Sequence, residues 1–273
     1  MLYWTHNTIK IPKLGFGTWK LENQEAVEAV TTALEEGYRH IDTASIYSNE
    51  KQVGQALKDV AIPREDLFLT TKIWRDYLSK DLIFKEAQKS LKNLKLDYLD
   101  LLLIHWPHPN FPLEQSLQAL EALVKNQQVR LIGVSNFPCE LLLKARKISP
   151  SLITNQVEYH PFLSQTPLLE VVQKQRMFLT AYSSLARAEA VKSQQLQHIA
   201  QKYNKSTAQI VLRWLVEQTN VVSLVKSKNK KHIKDNFNIF DFQLEKKDQD
   251  KIYRLTHQKR RCVDPPFAPQ WDE

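Results

Sequence analysis

At 273 residues the chain can form one α/β barrel or two ordinary domains, and its 42% hydrophobic and 25% charged content is that of a soluble globular protein. No apolar run reaches the ~20 residues of a membrane helix and the N-terminus lacks a basic-then-apolar signal, so a cytoplasmic protein with no membrane partner is expected. The net charge of +8 favours an anionic ligand, and the absence of zinc-finger, recognition-helix or interleaved aromatic and basic patterns leaves no nucleic-acid partner in prospect.

In chain order, Thr8 to Pro12 reads as one arm of a short N-terminal hairpin, and Leu14-Gly-Phe-Gly-Thr-Trp19 as a strand running into a loop. Its Gly-x-Gly is followed by Lys20 and no third glycine, so it is not a dinucleotide fingerprint, and a Rossmann fold is not expected. Between Glu22 and Glu36, Ala26, Val27, Val30, Ala33 and Leu34 recur at helical spacing, with Gly37 as the stop. Tyr38 to Ile41 reads as a strand that ends at Asp42-Thr43-Ala44, and Ser48-Asn49-Glu50 offers N-cap chemistry for a helix over 50–59.

The alternation then repeats. Strands are expected at 67–73, 98–105, 130–135, 153–158, 178–183 and 221–225, with helices behind them at 80–94, 113–126, 139–148, 165–175, 193–203 with 207–217, and 230–237. The strands are near-continuous apolar runs, as in Leu101-Leu-Leu-Ile104, the pattern of strands covered on both faces. With no linker or shift of composition, the expectation is an α/β protein with one closed (β/α)8 TIM barrel spanning 1–273, plus an extra helix over 243–255 and a tail from His257 rich in proline and aromatics. Cys139 and Cys262 have no metal or redox spacing and suit a reducing compartment.

Such a barrel opens all its C-terminal strand ends on one face. Asp42 and Tyr47 follow strand two, Lys72 stands near the end of strand three, and His105 ends strand four. Singly, each has a plain structural explanation, but together they bring a carboxylate, a phenol, an ammonium and an imidazole to one mouth. A free phenol, with a pKa of ~10, trades protons poorly near neutrality. A neighbouring ammonium should lower that value, and a carboxylate should hold the ammonium charged. Tyr47 is then a general acid for a carbonyl oxygen, tuned by Lys72 and Asp42, with His105 bonding the same oxygen. His105 and His108 straddle Trp106-Pro107, which spoils a helical ligand face, so no metal is expected. A barrel aldolase would use Lys72 as a Schiff-base amine, but would have no need of Tyr47.

The loops after strands seven and eight, where barrels commonly bind phosphate, carry Tyr182-Ser-Ser-Leu185 and the basic run Lys226 to Asn236. Lysines at a helix start oppose its dipole, and a bound anion would reverse that penalty. Trp19, Trp74, Trp106 and Phe111 fall in mouth loops, with Phe267 and Trp271 on the tail, which suggests an apolar-walled substrate pocket. The glycine-free loop 186–192 should have little lid motion.

Leu14-Gly-Phe-Gly-Thr-Trp19, Asp42-Thr-Ala-Ser-Ile-Tyr47, Thr70-Thr-Lys72, Leu103-Ile-His-Trp-Pro107 and Ile132-Gly-Val-Ser-Asn136 resemble, in order, the signatures of the aldo-keto reductases. The closing Ala268-Pro-Gln-Trp-Asp272 is similar to the tail of that family's bacterial diketogluconate reductases. The resemblance implies an NADPH-dependent reductase of aldehydes or ketones, monomeric, with Asp42, Tyr47, Lys72 and His105 as its catalytic tetrad. It also implies that Tyr182 stacks on the nicotinamide while Ser135, Asn136 and Gln156 hold its carboxamide. The remaining cofactor positions expected are Gly17, Thr18 and Trp19 at the first strand, Asp42 at the second, Ser183 and Leu185 after the seventh, and Lys226, Ser227, Lys228, His232 and Asn236 after the eighth. Trp19, Trp74, His105, Trp106 and Trp271 are the substrate-pocket candidates. Three positions depart from the family pattern: Ser184 and Val225 replace prolines, and His232 replaces the arginine that often grips the 2′-phosphate. A milder preference for NADPH over NADH is therefore expected. Methylglyoxal, other small aldehydes and keto-sugar acids such as 2,5-diketo-D-gluconate all suit the mouth, and a non-catalytic, cofactor-binding barrel is the alternative.

Overall fold

The computed structural model describes residues 1–272; Glu273, the last residue of the expected tail, lies outside the described residues. β1 (Tyr3–His6) and β2 (Ile9–Pro12) pair antiparallel as the N-terminal hairpin. The barrel strands are β3 (Leu14–Gly17), β4 (His40–Asp42), β5 (Phe68–Ile73), β6 (Leu99–Ile104), β7 (Val129–Ser135), β8 (Leu152–Glu158), β9 (Phe178–Tyr182) and β10 (Val221–Val225). All eight pair parallel in chain order, and β10 returns to β3 through Ser223 beside Leu14 to close the barrel.

Because both faces of these strands are covered, two apolar layers form. Phe68, Leu101, Leu103, Leu131, Ile153, Phe178 and Val222 fill the interior together with Ile11 of the hairpin, whose Trp4 packs on Phe178 at 4.7 Å between ring centroids. The hairpin therefore covers the N-terminal end of the barrel and leaves the other end open. A larger layer, including Leu102, Ile104, Ile132 and Val134, joins the outer strand faces to the helices. At Gly15 a Cβ would stand 2.6 Å from Leu224 Cδ2 and 2.9 Å from the His40 ring, so glycine is required for this close approach.

The eight-strand reading holds, with local differences that have physical causes. The second barrel strand starts at His40, because Tyr38 turns its ring into the outer layer and donates its hydroxyl to Ile233 O at 3.2 Å. Asn49 is not a side-chain cap. Its Nδ2 reaches Thr18 O at 2.8 Å and Leu21 O at 2.9 Å, and its Oδ1 accepts from Thr43 at 2.9 Å, tying the loops after β3 and β4 together. The extra helix spans Lys246–Leu255, three residues shorter at its start than the expected 243–255. The 186–192 segment is not a plain loop: a turn at Ala186–Ala188 precedes a short helix at Glu189–Lys192. Ala186, Arg187 and Ala188 all take positive φ, at 49°, 50° and 73°. Each costs roughly 1 kcal/mol or more in a residue with a Cβ. Among the described residues no helix is long and apolar enough to cross a membrane.

Candidate active site

Asp42 is the last residue of β4, Lys72 the penultimate residue of β5, and His105 the first residue beyond β6. Tyr47 ends a single helical turn, Ser45–Tyr47, held over β5 by a hydrogen bond from Ser45 Oγ to Lys72 O at 3.0 Å. Lys72 is fully buried, with Nζ 2.5 Å from Asp42 Oδ1 and 2.7 Å from Thr43 O. The same Nζ lies 5.1 Å from the centroid of the Tyr47 ring, and the Tyr47 and His105 rings meet edge to face at 5.6 Å. Among the described residues the Tyr47 hydroxyl has no hydrogen-bond partner, and the buried His105 Nδ1 has none either.

The electrostatics correct one expectation. Burial, reinforced by the Asp42 carboxylate, pushes the Tyr47 phenol above its ordinary range instead of lowering it. Lys72 does not reverse this, because its charge is already directed onto Asp42 and Thr43 O. Burial also lowers the Lys72 ammonium, with Asp42 opposing, and burial followed by the Lys72 charge holds His105 well below the ordinary histidine value. Tyr47 is thus a protonated phenol and His105 a neutral imidazole at neutral pH.

A chain of hydrogen bonds extends from this group across the mouth. Asp42 Oδ2 accepts from Gln156 Nε2 at 2.8 Å, and Gln156 O accepts from Ser135 Oγ at 2.8 Å. Asn136 donates to Ser135 Oγ and to His105 O, both at 3.0 Å, and its Oδ1 accepts from the Tyr182 hydroxyl at 2.8 Å. Asn136 and Ser183 hold φ of 64° and 52°, the left-handed strain that tends to collect at functional positions.

These groups border a cavity of about 1010 Å³. Of the residues singled out from sequence, Gly17, Thr18, Trp19, Asp42, Tyr47, Trp74, His105, Trp106, Asn136, Gln156, Tyr182, Ser183, Leu185 and Lys226 line it. Lys72 and Ser135 lie beneath its surface. Trp271 stands behind the wall, edge to face with Trp106 at 6.0 Å, because the tail turns Phe267 toward Trp74 and Trp106 first. Ser227, Lys228, His232 and Asn236 lie on the loop and helix after Lys226 and do not border the cavity. The helix start there is already capped, since Asn229 Oδ1 accepts from His232 N at 3.1 Å, and Lys228 faces Glu25 at 3.3 Å. Burial lowers the Lys226 ammonium.

The sequence reading missed Arg187, Ile46 and the tail residues Cys262, Val263, Asp264 and Pro265, all of which reach the cavity. Arg187 Cζ and Lys20 Nζ stand 5.7 Å and 4.7 Å from the Trp19 ring centroid. The position of Arg187 after Leu185 on the strand-seven loop was a usable signal; the tail residues offered none, having no periodicity. Ser184 has a visible role: its hydroxyl donates to Leu224 O at 2.9 Å and meets Ser223 Oγ at 3.0 Å, pinning the end of β9 to β10.

The aldo/keto reductase family profile matches residues 13–256. Glyoxal reductase of Bacillus subtilis (strain 168) is 43% identical over 259 residues, covering 93% of this chain and 92% of its own. A crystal structure provisionally named 2,5-diketo-D-gluconic acid reductase B superposes with a TM-score of 0.94 at 40% identity, covering 96% of this chain and 94% of that one. A Bombyx mori aldo-keto reductase in complex with NADP superposes with a TM-score of 0.87 at 33% identity, over 94% of this chain and 93% of that one. With the profile spanning most of the barrel and relatives covering nearly the whole chain, this protein belongs to the aldo/keto reductase family.

Proposed function

We propose that the protein reduces small aldehyde and ketone carbonyls to alcohols with NADPH, with Tyr47 as the proton donor, acting as a monomer in the cytoplasm. The observation that carries this reading is the unpartnered Tyr47 hydroxyl at the cavity surface, backed by the buried Lys72–Asp42 pair at 2.5 Å. A nicotinamide cofactor fits the residues present. The cavity of about 1010 Å³ has room for a dinucleotide and a small substrate, and His105, whose buried Nδ1 has no partner among the described residues, lines it together with Tyr47. Gly17, Thr18, Tyr182, Ser183, Leu185 and Lys226 would hold that cofactor, with Asn136 and Gln156 at its amide end. Lys20, Arg187 and Lys226 give this wall a positive charge suited to phosphates. Reduced nicotinamide supplies a hydride when bound.

The chain's own groups do the rest. The Tyr47 hydroxyl donates its proton to the carbonyl oxygen, and the Lys72 ammonium, 5.1 Å from the ring centroid, attenuates without cancelling the cost of the negative charge that develops on Tyr47. Asp42 fixes Lys72 from one carboxylate oxygen and Gln156 from the other. Neutral His105 orients the carbonyl without competing as an acid. Trp19, Trp74 and Trp106 exclude water from the reacting oxygen. Lys72 is not a Schiff-base amine in this reading, since it is spent on Asp42 and Thr43 O and does not reach the cavity.

α-Oxoaldehydes such as methylglyoxal are the proposed substrates, in line with the glyoxal reductase relative; keto-sugar acids such as 2,5-diketo-D-gluconate are a second group. The test is a panel of carbonyl compounds with NADPH oxidation followed for each. Turnover of methylglyoxal above that of simple monoaldehydes is expected. If no carbonyl drives oxidation while NADPH still binds, the barrel is a non-catalytic cofactor-binding protein.

A further inference from the structure

Glu158 is the last residue of β8, fully buried beside the cavity without bordering it, and the proposed chemistry makes no use of it. Its carboxylate accepts from three donors: the backbone N–H of Cys262 to Oε1 at 2.6 Å, the backbone N–H of Val263 to Oε2 at 2.8 Å, and His160 Nε2 to Oε1 at 2.8 Å. The histidine is fixed in this role. Phe162 N donates to His160 Nδ1 at 3.2 Å, so Nδ1 is the acceptor and Nε2 carries the proton. Glu158, His160 and Cys262 lie within the 4.8 Å spacing of a metal-ligand set. A metal there would need the opposite tautomer, with Nε2 bare and Nδ1–H opposed to the Phe162 N–H, so the constellation is a hydrogen-bonded clasp and not a metal site.

The clasp holds the segment that finishes the cavity wall. Cys262, Val263, Asp264 and Pro265 all line the cavity, and just beyond them Phe267 packs on Trp74 and Trp106 at 5.8 Å and 5.5 Å. On the near side, Arg260 N donates to Phe162 O at 2.8 Å. The far end is held separately, by Cys139 N donating to Asp272 Oδ2 at 2.8 Å. The tail has no strand or helix over residues 259–272, so it has no ladder of its own to set its position. We infer that Glu158 is a positioning residue that sets substrate selectivity, by gripping two successive tail N–H groups and so placing the tail side of the substrate pocket. Burial disfavours the charged carboxylate, but the bonds from His160, Cys262 and Val263 outweigh it and keep Glu158 ionised.

The selectivity half of this inference rests on the carbonyl-reductase reading; the clasp itself does not, and the test separates them. Glu158→Gln keeps the shape but turns an N–H₂ group toward one of the donors it should accept from. Lys259, Arg260 and Arg261 adjoin the clasp, so trypsin reports tail release without any turnover. In Glu158→Gln, cleavage at these residues should rise about tenfold as the open population grows. The ratio of KM for phenylglyoxal to KM for methylglyoxal should change by about fivefold or more. NADPH Kd and kcat for methylglyoxal should stay within about twofold. In a chain ending at Arg261 the same substitution should leave the ratio unchanged, because residues acting only through one another are not additive. Val263→Pro, which deletes one donor and leaves the barrel carboxylate intact, should reproduce the faster trypsin cleavage if Glu158→Gln does not fold. Unchanged trypsin cleavage in a folded Glu158→Gln overturns the clasp. Faster cleavage with an unchanged KM ratio, or a ratio that still shifts in the chain ending at Arg261, overturns its role in selectivity. If the wild type turns over no carbonyl, the reductase reading fails while the trypsin result still decides the clasp.

Discussion

Replacing Tyr47 with phenylalanine removes one oxygen from the proposed proton donor, and the structure separates its catalytic cost from its structural one. The ring keeps its edge-to-face contact with His105 at 5.6 Å and its place 5.1 Å from Lys72 Nζ. The hydroxyl has no hydrogen-bond partner among the described residues, so its loss leaves no buried group stranded, and the stability change should fall within about 0.5 kcal/mol. Positioned general acids contribute about 10² to 10⁴ in rate, which at about 1.4 kcal/mol per decade is roughly 3 to 5 kcal/mol of transition-state stabilisation. The expected result is therefore a fall in kcat of about a hundredfold or more with methylglyoxal, at nearly constant NADPH Kd and melting temperature. Steady-state nicotinamide absorbance, fluorescence titration of NADPH and thermal unfolding measure the three quantities. Retention of more than about a tenth of wild-type kcat would refute Tyr47 as the acid. A large fall in melting temperature would show that the hydroxyl has a structural role that the geometry does not reveal.

Lys72→Met should lower kcat by a similar factor and also destabilise the fold by about 3–5 kcal/mol, because Asp42 is left as a buried charge with Gln156 as its one remaining side-chain donor among the described residues; urea unfolding tests this. Burial lowers the pKa of both His105 and His40 in the folded chain, so below about pH 6.5 the unfolded chain binds protons that the folded one does not. Stability should consequently decline with falling pH by up to about 1.4 kcal/mol per unit for each histidine, and a pH-independent unfolding free energy between pH 5 and 7 would contradict their neutral burial. NADPH should bind more tightly than NADH by a modest factor, and His232→Arg should widen the gap, since a guanidinium grips a phosphate bidentately; equal Kd values for the two cofactors in both proteins would remove the 2′-phosphate from this end of the site.

The alternation of apolar runs and helical stripes was enough to place the strand ends, and strand ends were enough to bring Asp42, Lys72 and His105 together. Those properties are local: a strand covered on both faces announces itself in its own residues. Asn49 was misread because an asparagine before a helix can cap it or bond distant carbonyls with equal chemical ease. Only the closed barrel brings Thr18 O and Leu21 O to its amide. The sign of the Tyr47 shift was illegible for a related reason. A neighbouring ammonium can be guessed from spacing, but desolvation is the summed effect of everything packed around the ring. The left-handed run at Ala186, Arg187 and Ala188 contains no glycine to signal it. The tail lacks any period, so its course depends on contacts with β8 and the mouth that no stretch of the tail encodes alone.

The hydrogen-bond chain has a consequence for how the site is built. Asp42 is shared: one oxygen holds the Lys72 ammonium behind Tyr47, and the other holds the Gln156 amide on the proposed cofactor side. From Gln156 the bonds continue through Ser135 and Asn136 to the Tyr182 hydroxyl, so groups from β4, β5, β7, β8 and β9 are oriented by one another. Each of these side chains springs from or directly follows a barrel strand, whose backbone is fixed by pairing on both sides. Preorganisation of this kind keeps the groups aligned before any ligand arrives, which is where electrostatic catalysis gains its advantage over water. The proposed substrate side is built differently, from Trp74, Trp106 and the aperiodic tail. Its shape can therefore change through tail residues or their Glu158 clasp without disturbing the Asp42–Lys72 pair, which separates the choice of carbonyl from the chemistry performed on it.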